Sequence, residues 1–146
     1  MVRTNHIKLF SWLEINHMLH DAIIIGVVFK RMEYTDSNVF CHIAEIEILI
    51  PDDIAIDKYS KAKLILMDVV KMTLAFDSST MGDLFVYSVE LKEVKTIIEG
   101  RKGLQQLLVY GEQFSEQRGE WEKMLLADLV FSECDIIKMR HASRQF

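Results

Sequence analysis

Between Val39 and Ile50 the chain alternates: Ile46, Ile48 and Ile50 fall on one side of an extended segment, Glu45 and Glu47 on the other. A period of two predicts a strand with one buried face. Pro51 has no N–H for a ladder and sets its end. The preceding segment, Ala22–Tyr34, is rich in Ile, Val, Phe and Tyr, residues that suit a pleated surface. Both its sides are apolar through Phe29, which predicts a central strand covered on both faces. Thr35-Asp36-Ser37-Asn38 is a turn cluster that joins the two strands as a hairpin. Further on, Phe85, Tyr87, Val89 and Leu91 alternate with Ser88, Glu90 and Lys92, the pattern of a half-buried antiparallel strand. Glu99–Gly103 reads as a turn and Leu107–Tyr110 as a short strand.

Two longer stretches carry helical spacing. Tyr59, Ala62, Leu66, Val69, Val70 and Thr73 predict a helix over 52–76, capped by Asp52, Asp53 or Asp57. Trp121, Met124, Leu125, Ala127, Phe131 and Cys134 predict a second helix from Glu120 to about Met139, with Leu126, Leu129, Val130 and Ile137 widening its apolar face. Ile7–Ile15 fits both periods and is read as a strand. His141–Phe146 reads as a loose tail. The expected fold is α+β: an antiparallel or mixed sheet of about four to five strands with two main helices packed on it, forming one globular domain over residues 1–146.

Composition agrees with a packed domain. Of 146 residues, 50% are hydrophobic and 27% charged, with one Pro and six Gly, which excludes a disordered or low-complexity chain. The longest apolar run, Ala22–Phe29, is far short of the about 17–25 residues that cross a membrane as a helix. The expectation is a soluble cytoplasmic protein with no membrane partner. Cys41 and Cys134 both sit in apolar stretches and read as buried thiols rather than a disulfide framework.

Charge is unevenly placed. The net charge of −5 disfavours a nucleic-acid partner. From Glu112 to Asp135 seven acids face only Arg118 and Lys123, so this span carries as much net charge as the whole chain. Glu112, Glu116, Glu120, Trp121, Glu122 and Asp128 are the candidate residues for binding a basic protein partner: acids to steer it and an aromatic to anchor it. The competing interpretation is a solvated helix face with Trp121 in the core.

Catalytic signatures are missing. His17, His20 and Asp21 could approach one metal ion, with Cys41 and His42 to complete the set, but a polar turn before the Ala22 strand needs no such role. There is no G-x-S-x-G motif, no phosphate-binding glycine loop and no cysteine signature. No catalytic residue, metal or cofactor is assigned. The leading expectation is a non-enzymatic inhibitor of the immunity-protein or antitoxin type, occluding the active site of a basic toxin such as a nuclease. An acidic secretion chaperone, compatible with a homodimer, and a small enzyme centred on His17 and His20 are the alternatives.

Overall fold

The computed structural model describes residues 2–34, 39–52, 58–75, 84–98 and 100–143. An N-terminal helix α1 (Val2–Ile15) and a single 3-10 turn (His17–Leu19) lead into nine strands: β1 (Ile23–Tyr34), β2 (Val39–Pro51), β3 (Lys58–Met67), β4 (Lys71–Leu74), β5 (Leu84–Phe85), β6 (Ser88–Glu93), β7 (Gln105–Ser115), β8 (Glu120–Phe131) and β9 (Glu133–Ser143). They form two antiparallel sheets, ordered β5-β1-β2-β3-β9 and β4-β8-β7-β6.

Three strand pairs belong to both sheets. β3 runs into β4 through Asp68–Val70, β5 into β6 through Val86 and Tyr87, and β8 into β9 through Ser132. Backbone bonds continue across these corners: Val69 N–H donates to His42 O, Val70 N–H to Val130 O, Ser132 N–H to Met67 O and Tyr87 N–H to Tyr110 O. β5 pairs with β1, so hydrogen bonding passes from β1 through β2, β3/β4, β8/β9 and β7 to β6/β5 and returns to β1. The result is a closed antiparallel barrel, which protects strand edges that an open sheet would expose.

This architecture overturns the expected α+β layout in three places. Residues 58–74, expected as helix, are β3 and β4; of the proposed caps, Asp53 and Asp57 lie outside the described residues, and Asp52 N–H bonds Lys58 O across the β2–β3 connection. Ala62, Leu64 and Leu66 are buried at period two, whereas only Ala62 and Leu66 among them fit the helical stripe. The second expected helix is β8 and β9. Leu126–Phe131 are all buried because this strand is covered on both faces, which a helical reading takes for a broad stripe. Conversely, Ile7–Ile15 is part of helix α1, with Leu9, Trp12 and Leu13 buried at helical spacing.

The expected hairpin β1–β2 is present, and β2 ends at Pro51. Its detail differs. The register slips between Ile24 and Gly26, leaving Ile25 as an extra residue, a β-bulge. The phase therefore flips, and Ile24 and Val27 both face the core. Beyond the bulge β1 is not covered on both sides: Val28 and Phe29 are exposed. The expected strand 85–91 is likewise divided, because Val86 and Val89 are buried on opposite phases where the chain turns from one sheet to the other.

The barrel is filled by Ile24, Ile46, Ile48, Leu64, Leu66, Leu107, Val109, Leu129 and Phe131. Each such side chain contributes roughly 1.5–3 kcal/mol by leaving water. A cavity of about 20 Å³ remains, with an entirely apolar lining that includes Leu19, Ile24, Leu64, Leu107 and Ala127. α1 lies against β9, and its Leu9, Trp12 and Leu13 join the same apolar cluster. The link from helix to barrel is unusual: His17, Met18 and Leu19 have φ of +55°, +51° and +58°, and Asp21 has +64°. Left-handed backbone costs non-glycine residues roughly 1–2 kcal/mol each. Burial of Leu19 in the barrel holds the turn in place.

Candidate functional site

In an antiparallel barrel alternate connections leave from opposite ends. The β1–β2, β4–β5 and β7–β8 connections share one end. Two hairpins reach past the barrel there. The β6–β7 ladder ends at Ser88 and Tyr110, and the β4–β8 ladder at Leu74 and Ala127. β7 and β8 continue to pair with each other as far as Ser115 and Glu120. Among the described residues, no other strand ladder extends along this outer part of the hairpin.

Five of the six sequence-predicted residues lie on this hairpin, and cross-strand register divides them between its faces. Glu112 faces Lys123, and Trp121 faces Phe114, so Glu112, Trp121 and Lys123 share one side. Glu120 and Glu122 are on the other. Glu116 lies in the turn between the strands. Trp121 is 66% exposed, which excludes the core role weighed from sequence. Glu112, Glu116 and Glu120 do not form one helical row, so the repulsion expected at that spacing does not arise.

Cations temper part of the acidity. Arg118 Nη1 is 3.2 Å from Glu122 Oε1, and Lys123 lies opposite Glu112. Lys123 Nζ also sits 3.9 Å from the centre of the Tyr110 ring, a cation–π contact. The Tyr110 hydroxyl donates to Glu90 Oε2 at 3.2 Å. Desolvation, then this bond and the Glu90 charge, push the Tyr110 phenol above its ordinary value. Tyr110, Lys123 and the exposed Leu125 extend the Trp121 side and were not singled out from sequence. Only the cross-strand register brings them together.

Asp128 does not belong with the others. It is buried on the barrel wall, with Oδ2 accepting from Lys71 Nζ at 2.8 Å and Oδ1 from Gln106 Nε2 at 2.9 Å. Burial raises its pKa, but the Lys71 and Gln106 hydrogen bonds and the Lys71 charge outweigh burial and hold the carboxyl below the usual range. Its carboxylate is taken up by Lys71 and Gln106 on the barrel wall, apart from the five residues on the hairpin.

At the second hairpin, Phe29 stacks on His42 with ring centroids 5.3 Å apart and planes 9° apart. Cys41 is buried while its neighbour His42 is exposed, as strand alternation requires. Both cysteines are buried thiols. His20 Nδ1 is 3.2 Å from Asp21 Oδ2, with both side chains more than half exposed. Among the described residues no three His, Cys, Asp or Glu side chains are placed to hold a metal ion. No described helix is long and apolar enough to cross a membrane. Comparison with protein-family models, curated proteins and solved structures finds no match.

Proposed function

We propose that the protein is a non-enzymatic binding domain that neutralises a basic protein partner, in the manner of an immunity protein or antitoxin, with the β7–β8 hairpin as its engaging surface. One observation carries this reading: Trp121 stands 66% exposed on a hairpin that outruns the barrel, with Glu112 on its own face, Glu116 in the turn and Glu120 and Glu122 on the opposite face. An exposed tryptophan is a strong anchor when a partner buries it, and nearby carboxylates accelerate encounter with a basic surface. The acids would cover the anion-binding cleft of a basic target such as a nuclease, and Trp121 would slow release.

The test is a parallel capture from the source cell with three baits: the native protein, Trp121→Ala, and the triple variant Glu116→Lys, Glu120→Lys, Glu122→Lys. A basic protein held at fixed stoichiometry by the first and lost from the other two supports the proposal. Equal retention by all three baits removes the hairpin from the interface.

A further inference from the structure

The segment that joins α1 to the barrel combines three features. Three consecutive non-glycine residues, His17, Met18 and Leu19, are left-handed. Leu19 is buried and lines the barrel cavity. α1 lies along β9, where Leu9, Trp12 and Leu13 share an apolar cluster with Cys134. Burial of Leu19 and packing of the turn against β6 keep the strained backbone in place, so release of the turn together with the helix would relax it. The rest of the barrel is joined by continuous strand pairing that does not pass through α1.

We propose that α1 and the His17–Leu19 turn form a strap that releases from the barrel as a unit while the barrel stays closed, uncovering the face of β9 around Cys134. Left-handed strain lowers the free energy of this opening and sets it apart from global unfolding. The hydrogen bonds that close the turn are local: Leu19 N–H to Asn16 O at 2.9 Å, His20 N–H to His17 O at 3.1 Å and Ala22 N–H to Leu19 O at 3.0 Å. Asp21 N–H to Val86 O, at 2.9 Å, ties the barrel side of the turn to the β5–β6 corner. The strap thus ends at Asp21, and Ile23 onward remains in the sheet.

The two cysteines report on the strap separately. Cys134 lies in the cluster that α1 joins, and Lys8 of α1 is close enough for its charge to act on the thiol. While the strap is closed, burial and then the Asp135 carboxylate push this thiol up to about 12, so it is unreactive. Cys41 is equally buried but on the opposite face of β2 from Ala44, outside that cluster. Release of α1 is therefore read out at Cys134, which lies in the cluster the helix joins, with Cys41 outside it as the comparison.

The experiment is alkylation of the folded native protein with iodoacetamide, each cysteine being followed by peptide mass spectrometry. Cys134 is expected to react at least about tenfold faster than Cys41, because its opening is sub-global. Met18→Gly, which removes left-handed strain at one position, is expected to slow Cys134 by about threefold to tenfold. Equal rates at the two cysteines would overturn the proposal. So would a Cys134 rate that Met18→Gly leaves unchanged.

Discussion

Lys71 and Asp128 lie diagonally across the β4–β8 ladder, two residues out of register and on the same face, with Nζ 2.8 Å from Oδ2. The carboxylate is 12% exposed and the lysine 53%, so the pair is half-screened. Asp128→Asn should cost about 1–2 kcal/mol, below the range for a fully buried pair. Because the folded pKa is depressed, the stabilisation is complete above the ordinary carboxylate range and is lost as pH falls through the folded value. Urea unfolding at neutral and acid pH should show the native protein losing stability that Asp128→Asn has already lost. Parallel pH profiles for the two would remove Asp128 from the acid response.

Two strand glycines should respond oppositely to alanine. A Cβ at Gly111 would meet Leu126 Cδ1 at 3.0 Å and Cγ at 3.3 Å, and Leu126 is buried. Gly111→Ala is expected to destabilise by about 1 kcal/mol through this overpacking. At Gly26 a Cβ has nothing within 4 Å. Gly26→Ala should be neutral or stabilise by up to about 1 kcal/mol, since alanine has less freedom to lose on folding. Thermal unfolding of both variants measures the contrast.

The β3–β4 corner depends on Asp68. It has φ of +53°, and its Oδ2 accepts from Ser132 Oγ at 3.0 Å at the point where β8 passes into β9. Asn tolerates left-handed backbone and keeps an acceptor, whereas Ala does neither. Asp68→Asn should therefore remain within about 0.5 kcal/mol of native, and Asp68→Ala should lose roughly 1–3 kcal/mol. Chemical denaturation of the two variants orders them, and an equal loss would show that the corner needs only the backbone.

The two tryptophans should separate by quenching. Trp12 is buried on α1 and Trp121 is exposed among acids. In the Trp12→Phe variant, the remaining fluorescence should be quenched more strongly by caesium than by iodide, because the local field attracts cations. In Trp121→Phe, both ions should quench weakly. Equal sensitivity to the two ions at Trp121 would show that the hairpin acids are too well neutralised to steer a partner.

β2 was legible because glutamates and isoleucines alternate from Glu45 to Ile48, and Ile50 continues the apolar phase. β3 and β8 were not. Lys, Ala, Leu, Met and Glu, which dominate them, are good helix formers, and pairing with β2, β9 and β7 overrides that local preference. The reverse holds in α1, where Ile, Phe and Trp lie in a helix. Bulges beside Ile25 and at Val109–Tyr110 reverse the side-chain phase within single strands, and no count of alternating positions reveals where such a reversal falls. Of the candidate site, Trp121 and the glutamates were visible as a cluster in sequence. That they occupy two faces, and that Asp128 is committed to Lys71 and Gln106, depends on register and on a lysine 57 residues away.

The barrel has a polarity. Ile23 at the start of β1 and Ser143 at the close of β9 both lie at the end opposite the two hairpins. A tag, surface tether or fused domain attached after Ser143 therefore leaves from the far side, and Trp121 points away from the attachment.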